Sequence, residues 1–121
     1  MKILDLNHIA LHVQDLDRSK AFYGGMLGWT KKDTRPAFRF PGAWYALGAT
    51  RELHLITGRH DGAIEIPRVC HFAVQVESVG AVETLLREKE IEFIGPKSRP
   101  DGVLQIFLQD PDGYWIECCE I

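Results

Sequence analysis

The sequence predicts an α+β fold made of two similar βαβββ modules, and three observations carry that prediction. The phrase "NHIALHV" at residues 7–13 returns as "CHFAVQV" at 70–76. Each copy is followed by an N-cap residue and a segment with helical spacing of apolar side chains. Each helix is then followed by three strand-like runs divided by turn sequences. Two units of this kind form curved mixed sheets, each with one face covered by its helix and the other free to border a cavity.

The elements follow in order from an offset of 63 positions, 71 minus 8, which lays His8–Val13 over His71–Val76. Period two along a strand sends Ile9, Leu11 and Val13 to the helix-covered side and leaves His8, Ala10 and His12 opposite. In the second copy Phe72, Val74 and Val76 take the core, leaving His71, Ala73 and Gln75. Asp15 and Ser78 occupy matched N-cap positions. Leu16, Ala21 and Phe22 mark the first helix, which must stop near Gly24, Gly25 and Gly28. Val79, Val82, Leu85 and Leu86 mark the second, ending near Lys89–Glu90.

The first three strand runs lie around 29–33, 43–47 and 52–57; their counterparts lie around 91–94, 103–109 and 114–119, with "PDG" and "DPDG" as turns. The expected organisation is one domain over residues 1–121, with module 1 at 1–60, module 2 at 68–121 and "GRHDGAIEIP" joining them. Leu104, Ile106 and Leu108 read as core. Gln105, Phe107 and Gln109 then face the cavity, joined by Trp44, which the offset pairs with Phe107.

Composition limits the function. The chain has 121 residues, 45% hydrophobic and 26% charged, with a formal net charge of -3, as expected of an ordinary compact domain. Without clustered Lys/Arg no nucleic-acid surface is expected. No stretch approaches the roughly 18–20 apolar residues of a membrane helix, and a cytoplasmic location is expected. The three cysteines, Cys70, Cys118 and Cys119, form no disulfide framework and read as buried free thiols. Neighbours on a strand face opposite ways, so Cys118 and Cys119 cannot both bind one metal.

The chemistry lies in the last strand of each copy. Leu53 and Leu55 flank His54, and Ile116 and Cys118 flank Glu117, so each polar residue points away from an apolar pair. They are repeat partners, 54 plus 63 being 117, and each stands 46 residues after its histidine, His8 or His71. Three imidazoles and a carboxylate at symmetric inward-facing positions suit one divalent ion: Zn, Fe(II), Mn, Ni or Co. One histidine alone on a strand is commonly just a satisfied polar residue; four donors at matched positions are a pattern. His12, about 13 Å along the strand from His8, is too far to share the ion and is read as lining the substrate end. His60, in the linker, is read as solvated. Trp44, Gln75, Gln105 and Phe107 complete the expected substrate-binding set.

With "HIALHVQDLDRSKAFYGGMLGW", "ELHLI", "HFAVQV" and "DPDGYWIEC" on the page, the chain resembles the vicinal oxygen chelate superfamily along nearly its whole length. That superfamily includes glyoxalase I, fosfomycin resistance proteins, methylmalonyl-CoA epimerase, extradiol dioxygenases and bleomycin resistance proteins. The resemblance implies the glyoxalase-like fold and makes His8, His71 and Glu117 the metal ligands. His54 stands where glyoxalase I and the epimerase place a Glu or Gln ligand, and near where dioxygenases place an acid/base histidine, so it is either ligand or catalytic base. Phe107 falls where dioxygenases carry a tyrosine.

The implied function is a metal-dependent enzyme acting on a small substrate with two neighbouring oxygens, by glyoxalase-like lyase or isomerase chemistry or by dioxygenase-type chemistry. The alternative is a non-catalytic dimeric protein that sequesters a drug or small aromatic ligand. The resemblance also implies a homodimer, with the site closed either within a chain or between subunits.

Overall fold

The structure, a computed structural model, describes residues 1–62 and 64–121; Ala63, within the expected linker, lies outside the described residues. The chain divides into two compact units, the first running Met1–Gly62 and the second occupying the remainder through Ile121. The secondary structure is α+β, two four-stranded mixed sheets with a helix in each unit.

In the first unit, β1 (His8–His12) leads to α1 (Leu16–Lys20), which continues as a π-helical segment over Ala21–Met26. The strands β2 (Lys31–Lys32), β3 (Gly42–Leu47) and β4 (Arg51–Ile56) follow, giving the order β1-β4-β3-β2. β1 pairs with β4 in parallel, and the other pairs are antiparallel. Asp15 caps α1, its carboxylate accepting from the Arg18 N–H at 3.0 Å, so one of the orphan donors at the helix start is satisfied.

Gly24 and Gly25 lie inside the helical run, which ends at Gly28 in the left-handed region (φ 71°). Gly24 is there for room: a Cβ would stand 3.3 Å from the Tyr45 ring. The run expected around 29–33 contracts to Lys31–Lys32 because the Trp29 N–H is spent on the Tyr23 carbonyl at 2.9 Å, closing the helix instead of extending the ladder.

In the second unit, β5 (His71–Gln75), α2 (Val79–Glu88), β6 (Phe93–Ser98), β7 (Leu104–Gln109) and β8 (Trp115–Glu120) give the order β5-β8-β7-β6. Ser78 caps α2 by accepting from the Ala81 N–H at 3.2 Å, and the Val79 N–H donates to the Glu120 carboxylate at 2.8 Å. The last strand therefore holds the helix start directly, with a negative group at the positive end of the helix dipole. β6 begins later than expected, since the Ile91 N–H still donates to the Leu86 carbonyl at 2.9 Å and belongs to the helix terminus. Its pairing with β7 shifts register between Ile94 and Lys97, where Pro96 has no N–H to give.

Period two holds in both sheets. Leu53, Leu55, Ala43, Tyr45 and Val13 are buried in the first unit; Ile106, Leu108, Ile116, Val79 and Leu86 are buried in the second. Leu104 departs from its expected core position, 39% exposed at the open start of β7. Of the cysteines, Cys118 and Cys119 are buried, but Cys70 is exposed, because it precedes β5 in a turn rather than occupying a ladder position. Burial pushes the Cys118 thiol up to about 12, leaving it inert as a ligand or nucleophile at neutral pH.

Candidate metal centre

The repeat extends to the hydrogen-bond register. His54 stands opposite Ala10 and Trp44, and Glu117 stands opposite Ala73 and Phe107; each of these partners is its counterpart plus 63. β4 and β8 are inner strands of their sheets, so both donor-bearing strands are laddered on two sides. The small alanine opposite each donor leaves space above the strand for a larger group.

In the second unit, His71 Nε2 lies 2.8 Å from Glu117 Oε2. The His71 Nδ1–H donates to the Arg68 carbonyl at 2.8 Å, which orients the ring and leaves Nε2 as the nitrogen facing Glu117. The other Glu117 oxygen accepts from the Gln105 amide at 2.6 Å. Glu117 is 5% exposed and Gln105 8%, so the carboxylate is desolvated yet fully engaged. The His71 ring meets Phe107 edge to face, centroids 5.4 Å apart. Arg68 and Lys97 lie over the Phe107 ring at 4.9 and 5.3 Å.

In the first unit, His54 is the middle ring of a stack. Trp44 lies on one side at 3.9 Å with an interplanar angle of 2°, and His8 stacks on His54 at 4.1 Å and 12°. The His8 Nδ1–H donates to Asn7 Oδ1 at 2.8 Å, again leaving Nε2. His54 Nε2 donates to Glu52 Oε2 at 2.8 Å, and Glu52 is also bound by the Lys32 ammonium. Lys32 first, and His54 after it, hold the Glu52 carboxyl below its ordinary range.

These residues fit a divalent ion. Donors bound at about 2.1 Å stand roughly 3.0–3.4 Å apart for right-angled to tetrahedral geometry, close to the 2.8 Å between His71 Nε2 and Glu117 Oε2. Second-atom hydrogen bonds of the kind seen at His8 and His71 are what metal-bound imidazoles carry. Each unit holds a pair, and among the described residues no group of three or more His, Cys, Asp or Glu is gathered for an ion.

The remaining expected residues divide. Trp44, Gln105 and Phe107 touch or flank the donor residues directly. His12 is exposed at the far end of β1, its Nε2 donating to the Thr57 carbonyl at 3.2 Å. Gln75, at the corresponding end of β5, is exposed. His60 is exposed. Sequence reasoning missed Glu52, Asn7 and the Arg68 carbonyl. Glu52 was within reach, since it lies two residues from His54 and therefore on the same face.

The fold is a duplicated mixed sheet that carries imidazole and carboxylate side chains at matched positions on an edge and an inner strand of each unit. The chain belongs to the Glyoxalase/Bleomycin resistance protein/Dioxygenase superfamily, whose family model matches residues 5–118. It is 29% identical over 126 residues to "Glyoxylase I 4" of Arabidopsis thaliana, covering 98% of this chain and 72% of that protein. With the "Metallothiol transferase FosB" of Bacillus licheniformis it shares 28% identity, covering 96% of this chain and 75% of that protein. Among solved structures, a glyoxalase/dioxygenase from Nostoc punctiforme superposes with a TM-score of 0.81 at 26% identity, covering 96% and 90% of the two chains.

Proposed function

We propose that the protein is a divalent-metal-dependent enzyme acting on a small substrate with two neighbouring oxygens, by lyase or isomerase chemistry. His8, His71 and Glu117 are the ligands, and His54 is the residue that moves the proton. The observation that carries this reading is the pairing of His71 Nε2 with Glu117 Oε2 at 2.8 Å, in which the far side of each group is already bound. Either a proton or a cation between them satisfies both.

A bound ion would polarise the two substrate oxygens and stabilise the anion that forms between them. The chain supplies the rest. Gln105 holds Glu117 in its buried orientation, the Arg68 carbonyl holds His71, and Asn7 holds His8. His54 is assigned to proton transfer rather than ligation because of the stack. Imidazoles bind ions close to their own ring plane, and near-parallel rings 4.1 Å apart cannot both aim in-plane lone pairs at one ion without unstacking. An imidazole also has an ordinary pKa near neutrality, suited to taking and returning a proton. Each pair has an aromatic neighbour, Trp44 against His54 and Phe107 against His71.

Because each unit offers one pair of donors, the reading requires a pair from each unit at one ion, within a chain or between two copies. A homodimer with shared sites is the arrangement we infer, and light scattering on the purified chain tests it. The metal assignment is tested by elemental analysis of protein purified without chelator. About one equivalent of a transition ion per chain is expected, falling at least tenfold in His8→Ala and Glu117→Ala. A metal-free protein whose variants bind small aromatic ligands as wild type does would replace this reading with sequestration.

A further inference from the structure

We propose that Glu52, braced by Lys32, is a positioning residue that fixes which edge of the His54 ring faces outward. It rests on the reading of His54 as the proton carrier and adds to it a residue that touches neither ion nor substrate.

The argument begins with what stacking does and leaves undone. Trp44 and His8 fix the plane of the His54 ring at 2° and 12°, but a half-turn about the Cβ–Cγ bond keeps that plane. It exchanges the positions of Nδ1 and Cδ2, and of Nε2 and Cε1. A flat sandwich therefore leaves two ring orientations nearly alike in packing energy. A directional hydrogen bond separates them. Glu52 Oε2 accepts from Nε2 at 2.8 Å, placing the proton on Nε2 and the lone pair of the neutral ring on Nδ1.

His8 and His71 are arranged the other way, with Nδ1–H engaged by Asn7 and by the Arg68 carbonyl, and with Nε2 of His71 turned to Glu117. The three histidines thus divide into two that present Nε2 and one that presents Nδ1. That division separates ligands from base by local wiring alone.

Glu52 is suited to this task by its own surroundings. Its side chain is 17% exposed, and the His54 side chain 12%, so water competes weakly for the bond. Lys32 engages the other carboxylate oxygen, which keeps the carboxylate from rotating away. β2 is only two residues long, and its second residue supplies this brace. Glu52, His54 and Lys32 sit on three positions that the β2-β3-β4 ladder brings together: Lys32 is paired with Trp44, and Trp44 with His54.

The test uses 15N-edited NMR of the imidazole rings in the full chain, after chelator treatment and again with Zn(II) added. Assignment of the His54 signals comes from their loss in His54→Gln. In wild type, a resolved His54 Nε2–H resonance protected from solvent exchange is expected. It should persist in Glu52→Gln, whose amide oxygen still accepts. In Glu52→Ala its exchange should accelerate at least tenfold, with the His71 signals unchanged, and Lys32→Met should fall between the two.

A wild-type proton on Nδ1, zinc bound through His54 Nε2, or unaltered exchange in Glu52→Ala each overturns the proposal. The wild-type result decides even if Glu52→Ala does not fold. Metal content separates this inference from the reading beneath it. Absence of the Nε2–H signature from the wild-type chain with zinc stoichiometry intact refutes the Glu52 proposal alone, whereas absence of metal binding refutes the enzyme reading.

Discussion

Glu117 is a buried carboxylate whose two oxygens have different partners, Gln105 on one and His71 on the other. Removing it leaves the Gln105 amide, itself 8% exposed, without an acceptor, which costs about 1–3 kcal/mol. Glu117→Ala is therefore expected to lower stability by that amount in urea denaturation as well as abolish metal retention. Gln105→Leu removes the buried amide and is expected to destabilise less, while loosening the carboxylate and weakening metal affinity. At this scale the sequence was informative wherever period two applied: that His8 shares a face with His54, and His71 with Glu117, follows from apolar neighbours that must face the core. The hydrogen bonds that orient those rings were not legible. Two come from backbone or neighbouring groups, the Arg68 carbonyl and Asn7, whose reach depends on loop paths that no periodicity encodes.

At the scale of elements, the strands carry the site and the glycines tune them. Gly42 opens β3 where a Cβ would come within 2.7 Å of the Leu55 carbonyl and 2.9 Å of the Arg35 guanidinium. Arg35 in turn donates to the Phe40 carbonyl at 2.7 Å and lies over the Phe38 and Phe40 rings, with Phe38 beside Trp44. Gly42→Ala is expected to cost about 1–3 kcal/mol by overpacking, read as a lower denaturation midpoint. It should also disturb Trp44 fluorescence, since Trp44 is two residues along the same strand.

The strand and helix order was legible because each boundary had a chemical mark: Asp15 and Ser78 as caps, Gly28 at the helix end, "DPDG" at the β7–β8 turn. The extents of β2 and β6 were not, because their first amide groups are committed to finishing the preceding helices. That competition between helix end and ladder is settled in three dimensions.

At the scale of the whole molecule, the chain is one structural phrase written twice, with each copy holding one pair of polar side chains at matched positions. An ion that binds only the folded chain stabilises it by mass action, about 2.7 kcal/mol at a hundredfold excess over its Kd. For a chain of this length that corresponds to a rise in Tm of roughly 10 °C. Calorimetry with and without Zn(II) or Mn(II) should show such a rise in wild type, removed by chelator, and little or none in His71→Ala. The duplication itself was legible because 63-residue self-similarity needs no knowledge of contacts. The loop paths were not, since stretches such as 33–41 carry no period.

The ladder order gives the four site residues unequal footing. Residues 54 and 117 are carried on strands hydrogen-bonded on both sides, whereas residues 8 and 71 sit on strands at the rim of their own sheets. Of the proposed ligands, Glu117 is thus held by a ladder on each side, and His8 and His71 by a ladder on one. For the proposed ligand set, one braced carboxylate and two imidazoles on edge strands predict tolerance of cations of differing radius, read as retention of both Zn(II) and Mn(II) by the purified chain.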